Sequence, residues 1–163
     1  MGEISRDDCP PCLIYIDKEG NWYHKGVPMI HKGFVQLFYK NMTIDAQGRY
    51  IIEMDGQKCY VDVEDTAYVV KGVTHLEEKD KERFILHLSD DSQEDLDPET
   101  LYVGEHDVLY CRVKGQAFPA RFTRAAYYQI ARFIVEEDGK FFLPLKGKHY
   151  QIKSMAKGDD EAL

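Results

Sequence analysis

Two stretches of this chain share one arrangement of proline, glycine and apolar residues, and that sharing restricts the fold more than any other feature. Residues 22–63 and residues 113–154 align at a constant offset of 91 positions. Three of the 42 aligned positions are identical, namely Pro28/Pro119, Gly48/Gly139 and Gly56/Gly147. The case for a duplicated unit therefore rests on chemistry that the aligned hairpins share, in the pairs Ile44/Val135, Asp45/Glu136, Arg49/Lys140, Tyr50/Phe141, Ile52/Leu143, Met54/Leu145 and Val61/Ile152.

Each stretch predicts the same order of elements. A short strand leads through the proline into a helix, and a hairpin follows whose turns use glycine for its access to positive φ. Thr123 is the predicted N-cap of the second helix. The apolar faces predicted at helical spacing are Ile30, Phe34, Leu37, Phe38 and Met42 in the first stretch, and Ala126, Tyr127, Ile130, Phe133 and Ile134 in the second.

The fold class predicted from this pattern is α+β, with two similar halves that each contain antiparallel strands and one main helix. A chain of 163 residues, 44% of them hydrophobic, is long enough to form such a core. We expect a flexible leader over residues 1–12, an N-terminal unit over residues 13–73, a C-terminal unit over residues 74–154 and a flexible tail over residues 155–163. Within the C-terminal unit, residues 77–83 are expected to form a solvated turn, and the acidic residues 89–99 a solvated connector.

The charge of the chain argues against two classes of partner. A net charge of −8 disfavours non-specific binding to nucleic acid and to anionic membranes. No apolar run reaches the roughly 20 residues of a membrane helix, and the charged first residues lack the apolar core of a signal peptide. We therefore expect a soluble cytoplasmic protein whose partner is a small molecule, with no nucleic acid and no membrane partner.

The four cysteines predict no dense disulfide framework. Cys59 and Cys111 lie in apolar, strand-like runs, where a reduced and buried thiol is expected. Cys9 and Cys12 have the spacing of a redox pair or of half a zinc site, but residues 13–16 read as a strand rather than the helix of a redox motif. With His24 and His31 they miss the spacing of a zinc finger, so no metal site is expected and the role of the two N-terminal cysteines stays open.

Short catalytic motifs are missing from the sequence. It contains no glycine-rich phosphate loop, no His-Glu-x-x-His and no nucleophile elbow. No catalytic residue is therefore assigned, no cofactor is identified, and a binding protein is favoured over an enzyme.

A basic and aromatic cluster is the strongest indication of a ligand. It comprises Arg112, Lys114, Arg121, Arg124 and Arg132, interleaved with Phe118, Phe122, Tyr127 and Tyr128. Arginine forms a fork that fits phosphate, and an aromatic face stacks on a base. The alternative is that Arg121 and Arg124 pair with Glu64, Asp65 and the acids of residues 89–99, and join the two halves.

Four stretches of the chain resemble a bacterial family known as domain of unknown function 1285. They are IDKEGNWYHKGVPMI at residues 16–30, LF at 37–38 with DAQGRY at 45–50, VDVED at 61–65, and RVKG at 112–115 leading into ARFTRAAYY at 120–128. The similarity covers roughly residues 13–145. It implies a duplicated core, a C-terminal half loosely similar to pleckstrin-homology domains, and a pocket between the halves for a nucleotide-like ligand in signalling. Where the family has Pro and Phe after the acidic pair, this chain has Ala67 and Tyr68.

The function predicted from these observations is a small-molecule-binding signalling or sensor protein with an anionic, nucleotide-like ligand. The arginines would neutralise phosphate, Tyr128 or Trp22 would stack on the base, and Glu64 or Asp65 would hold the arginines; Trp22 is alternatively a core residue. The alternatives are a hydrolase of a phosphorylated small molecule with His24 as general base, and a scaffold without a ligand. The oligomeric state stays open. The expected ligand-binding residues are Trp22, His24, Lys25, Glu64, Asp65, Arg112, Arg121, Arg124 and Tyr128.

Overall fold

A computed structural model describes residues 9–154 of the chain, so most of the predicted leader and the whole predicted tail lie outside the described range. The described residues form an α+β protein of two compact units that divide after Ala67. The expected boundary after residue 73 falls inside a strand that begins at Tyr68. Each unit is described separately below.

The described residues of unit 1 contain one helix and a six-stranded sheet. Its elements are β1 (Pro11–Ile16), β2 (Trp22–His24), β3 (Val27–Pro28), α1 (Lys32–Lys40), β4 (Met42–Ile44), β5 (Tyr50–Met54) and β6 (Gln57–Val63). The strand order is β3-β2-β1-β6-β5-β4, in which β1 and β6 run parallel and the other neighbours are antiparallel. The first strand of the described residues is therefore in the middle of the sheet.

The Cys12–Cys59 disulfide links β1 to β6, with the two Cα atoms 5.0 Å apart. The prediction of a reduced, buried thiol at Cys59 is therefore wrong, because Cys59 is oxidised. The role of Cys12, left open by the sequence, is to pair with Cys59, and Cys9 is a free thiol. Cys12 lies on β1 and Cys59 on β6, and these two strands are neighbours in the sheet. Their parallel pairing depends on the whole fold, so it could not be predicted from the local sequence. Pro11 and Cys12, assigned to the leader, belong to β1.

Helix α1 turns a different face to the core from the one predicted. Ile30 is 88% exposed and Phe34 53% exposed, whereas Tyr39 is buried. The Tyr39 ring meets the edge of Trp22 at a centroid distance of 4.8 Å, and its hydroxyl donates to the carbonyl of Ala67 at 2.8 Å. Because its hydroxyl has a hydrogen-bond partner, the Tyr39 side chain can be buried at little cost. A prediction based only on the spacing of apolar residues does not include this contribution.

As far as residue 154, where the described range ends, unit 2 contains a seven-stranded sheet, one helix and a separate three-stranded meander. Its elements are β7 (Tyr68–Glu78), β8 (Lys81–Leu88), β9 (Gln93–Asp95), β10 (Tyr102–Val103), β11 (Leu109–Val113), β12 (Phe118–Phe122), α2 (Arg124–Ala131), β13 (Val135–Glu137), β14 (Lys140–Leu145), β15 (Lys148–Gln151) and β16 (Lys153–Ser154), with 3₁₀ turns at Pro98–Thr100 and Glu105–Asp107. The large sheet has the order β16-β10-β11-β12-β7-β8-β9, and the meander the order β13-β14-β15.

The long β7–β8 hairpin corrects the interpretation of residues 77–83 as a solvated turn. Strand β7 continues to Glu78 and β8 starts at Lys81, so the turn itself is only two residues long. The charged side chains occupy paired strand positions, because the hairpin extends far enough for backbone pairing to decide its conformation. Residues 89–99 likewise contain β9 and part of a 3₁₀ turn rather than a plain connector.

The duplication predicted from the sequence is present in the elements of the two units. In each unit one helix leads into an antiparallel three-stranded meander, β4-β5-β6 in unit 1 and β13-β14-β15 in unit 2. All four turn glycines have positive φ, between 77° and 84°, at Gly48, Gly56, Gly139 and Gly147. Thr123 caps α2 as predicted, because its side chain accepts from the Ala126 N–H.

Neither helix among the described residues is long and apolar enough to cross a membrane. Each is short, with α1 at nine residues and α2 at eight.

We expect the disulfide to make a large contribution to the stability of unit 1. A cross-link over 47 residues lowers the entropy of the unfolded chain by an amount that corresponds to about 4 kcal/mol. The Cys12→Ser/Cys59→Ser double variant should lose most of that free energy of unfolding in urea, measured by the fluorescence of Trp22, the single tryptophan and a core residue of unit 1. Cys9→Ser is the matched control and should unfold like the parent; equal losses in both variants would contradict this role.

Candidate functional site

A row of tyrosine and arginine crosses three neighbouring strands of unit 2. Tyr102 on β10 pairs with Tyr110 on β11, and Tyr110 pairs in turn with Arg121 on β12. Directly paired residues point to the same face of a sheet, so the three side chains lie side by side. The two tyrosine rings are stacked, with centroids 5.2 Å apart and planes 10° from parallel. The neighbouring residues on these strands, among them Leu109, Cys111, Ala120 and Phe122, face the core.

Arg112 lies on the same face as this row. It pairs with Pro119, two residues before Arg121, and such diagonal neighbours are roughly 7–8 Å apart. Its Nε donates to the carbonyl of Gln116 at 2.8 Å, which fixes the guanidinium over the β11–β12 turn. Within residues 9–154 that is the only contact that engages the guanidinium, so its other N–H groups are available to a ligand.

The ring of Tyr110 lies close against the backbone at Gly104. A Cβ atom at Gly104 would lie 2.9 Å from the Tyr110 ring, too close for a side chain. Gly104 therefore provides the space that the stacked pair occupies. We call the face formed by Tyr102, Tyr110, Arg112 and Arg121 the arginine–tyrosine face.

Arg124 and Tyr128 lie on the exposed side of α2, one helical turn apart. Tyr128 is 61% exposed, and the centroid of its ring is 5.7 Å from that of Tyr127. Arg124 is three residues beyond Arg121, a length of chain that spans at most about 11 Å. Two of the predicted arginines therefore flank the junction between β12 and α2.

Lys114 pairs with the acidic segment of unit 2. Its Nζ donates to Asp90 at 2.8 Å and to Ser92 at 2.9 Å, and its backbone N–H donates to the Glu94 carboxylate. Burial alone raises the pKa of Asp90, but the hydrogen bonds from Lys114 and Ser92 outweigh it and the pKa lies below its usual value. Lys114 is therefore joined to the acidic residues 89–99 by a charge pair and hydrogen bonds.

Trp22 lies in the core of unit 1, where it is 4% exposed. Its ring is stacked on Phe38 at 6.2 Å and meets Tyr39 at 4.8 Å. Among the described residues its indole N–H has no hydrogen-bond partner. In this conformation Trp22 offers no open face to a base, in agreement with the core alternative.

The other predicted residues of unit 1 lie at its strand ends and turns. His24 ends β2 and is exposed, and Lys25 adopts φ of 51° in the following turn. One carboxylate oxygen of Glu64 accepts from the Tyr15 hydroxyl at 3.1 Å and from the Lys18 N–H at 2.9 Å. Glu64 is therefore bound within its own unit, and Asp65 is half-buried beside it.

A shallow pocket in unit 1, lined by residues that include Cys9, Arg49 and Lys58, has a volume of about 100 Å³. Pockets for small-molecule ligands usually measure roughly 300–1,000 Å³. The charge of Arg49 is already paired with Asp45 at 2.9 Å. This pocket is therefore too small to enclose a nucleotide, and one of its cations is already paired.

Comparison with known proteins identifies the fold. No family model matches the chain, and no curated protein matches it. A crystal structure of a DUF1285 family protein from Silicibacter pomeroyi DSS-3 superposes with a TM-score of 0.73 at 18% identity, over 93% of this chain and 84% of that one. A second, from Shewanella baltica OS155, gives a TM-score of 0.61 at 18% identity, over 74% of this chain and 91% of that one. The chain therefore has the fold of DUF1285 family proteins, and the resemblance read from the sequence is confirmed at the level of the fold.

The Lys114–Asp90 pair is expected to stabilise unit 2 at neutral pH. Asp90→Asn should lower the free energy of unfolding by roughly 1.5–3 kcal/mol, because it weakens hydrogen bonds to a half-buried carboxylate. Since the pKa of Asp90 is lower in the folded than in the unfolded protein, this stabilisation is present above the unfolded pKa of about 3.9 and is lost as pH falls through the folded value. Calorimetry of the parent and the variant over this pH range should show their difference shrinking in acid.

Asp95→Asn provides the matched control for this measurement. Asp95 pairs with Arg83 at 3.1 Å, but both side chains are more than half exposed, so the change should cost less than about 1 kcal/mol. Equal costs for the two variants would refute the structural assignment of Lys114. A difference that persists unchanged in acid would refute the pKa argument.

Proposed function

We propose that this chain is a non-enzymatic binding protein for an anionic, nucleotide-like small molecule, and that it acts as a sensor in signalling. The arginine–tyrosine face of unit 2 is the single observation that carries the proposal. Guanidinium groups form paired, charge-assisted hydrogen bonds with phosphate, and tyrosine rings stack on a base. Both kinds of group lie side by side on this face, in a chain whose overall charge is −8.

Arg112 supports the proposal because its guanidinium is already oriented. The hydrogen bond to the Gln116 carbonyl lowers the entropy that a ligand would otherwise lose in ordering this side chain. Arg121 and Arg124 add charge at the β12–α2 junction, so that a ligand with more than one phosphate group has several partners. Tyr102 and Tyr110 supply an aromatic edge beside the arginines.

Nucleotide binding is tested by thermal shift and calorimetric titration with mono-, di- and triphosphates of adenosine and guanosine, with and without magnesium. We expect the melting temperature to rise with a nucleotide and not with the matching nucleoside. Arg121→Ala and Arg124→Ala should each weaken binding roughly tenfold or more, the loss expected for one charge-assisted interaction. Arg83→Ala, which removes an exposed arginine from β8 in the same unit, should leave the affinity unchanged.

Four outcomes would overturn the proposal. Unchanged affinity in Arg121→Ala and Arg124→Ala would place the site elsewhere, and equal losses in Arg83→Ala would reduce the binding to general charge attraction. Release of phosphate during the titration would favour the hydrolase alternative. If no nucleotide raises the melting temperature at millimolar concentration, the remaining alternative is a scaffold protein without a ligand.

The cytoplasmic location expected from the sequence stays a proposal, and the disulfide counts against it. Stable disulfides are rare in the reducing cytoplasm and common in oxidising compartments. Trapping free thiols in cells before lysis distinguishes the two. Alkylation of Cys12 and Cys59 would support the cytoplasm, and protection of both would contradict it.

A further inference from the structure

The β7–β8 hairpin brings together three side chains with atoms that bind metal ions. His75 and Glu77 are two residues apart on β7 and therefore share one face of the strand. Glu82 on β8 is directly paired with Glu77 and points to the same face. One ligand atom from each residue lies within 4.8 Å of the other two.

His75 is fixed before any ion arrives. Its ring packs against Phe84 at 4.8 Å and against Phe133 at 4.5 Å, and its Nε2 lies 2.8 Å from Oε2 of Glu82. The side chain is about one-fifth exposed, so the ring is shielded by its aromatic neighbours while Nε2 points at the Glu82 carboxylate. A held imidazole loses little entropy when it becomes a ligand.

Glu82 is oriented by contacts on both of its oxygens. Oε1 accepts the backbone N–H of Lys146 at 2.8 Å, and Oε2 faces His75. Both oxygens of the carboxylate are therefore held in fixed directions, and Oε2 lies on the side of the cluster that His75 occupies.

Glu77 places a second negative charge opposite the first. Like charges at directly paired positions of a hairpin are destabilising. A bound cation would turn this repulsion into attraction without any change in strand register.

We propose that His75, Glu77 and Glu82 bind one divalent transition-metal ion of the zinc type, with water completing its coordination. The imidazole selects for zinc and its neighbours in the first row over magnesium or calcium, which prefer oxygen ligands alone. Bonds of about 2.0–2.1 Å at tetrahedral angles place two ligand atoms roughly 3.3 Å apart. The Nε2–Oε2 distance of 2.8 Å therefore has to widen by about half an ångström when the ion binds. A proton on Nε2 has to leave at the same time, to solvent, and the imidazole remains neutral with its proton on Nδ1.

The experiment is a calorimetric titration of zinc into the metal-free full chain, carried out in a Cys9→Ser background so that the free, partly exposed thiol does not compete. We expect one zinc ion per chain and a rise in the melting temperature. His75→Ala should weaken binding roughly tenfold to a hundredfold and abolish the rise. Glu77→Gln keeps the shape of an exposed side chain and should weaken binding without a loss of stability in the absence of zinc.

His149→Ala is the matched control. His149 faces Glu137 at 3.5 Å in the same unit, but among the described residues no third ligand joins that pair. The affinity of this variant for zinc should equal that of the parent. Absence of saturable binding, or unchanged affinity in His75→Ala and Glu77→Gln, would overturn the proposal; so would an equal loss in His149→Ala. If His75→Ala does not fold, the zinc affinity of Glu77→Gln alone tests the proposal.

Discussion

A parallel pairing between strands far apart in the sequence closes each unit of this protein. In unit 1 it joins β1 to β6, and in unit 2 it joins β7 to β12. Parallel neighbours need a long connection between them, and in both units this connection carries further strands of the same sheet. The entropy lost in closing such a loop grows only slowly with its length, so the units can hold long insertions between the paired strands. In unit 1 the Cys12–Cys59 disulfide adds a covalent link to this pairing.

The parts of the fold that could be predicted are those fixed by local chemistry. Glycines at positive φ and the alternation of apolar residues located both meanders, and Thr123 located the start of α2. What failed depended on distant partners. The inner face of α1 is decided by Tyr39, whose hydroxyl is satisfied by a carbonyl 28 residues away. The β7–β8 hairpin carries too many charges to look like paired strands, although backbone pairing through it is continuous to the turn.

The candidate site was predictable only in its charged half. The arginines are close together in the sequence and could be recognised from it. Tyr102 and Tyr110 become neighbours only through the pairing of β10 with β11, and their spacing in the sequence matches no known motif. The same holds for His75 and Glu82, which approach each other across a hairpin turn. The number of residues between two cross-strand partners varies with the length of the turn, so no fixed sequence motif describes such a pair.

The central place of β1 in its sheet also sets an order of events during synthesis. This strand leaves the ribosome well before its parallel partner, since Ile16 pairs with Val63. At translation rates of roughly 5–20 residues per second, β1 has to wait about 2–9 seconds for β6 to be made. Through that interval Ile14 and Ile16, both buried in the finished sheet, lack the partner strand that will cover one edge of β1. For seconds the nascent chain thus carries a strand with an unpaired backbone edge and two apolar side chains, and in that time a chaperone or thiol oxidant can act on it.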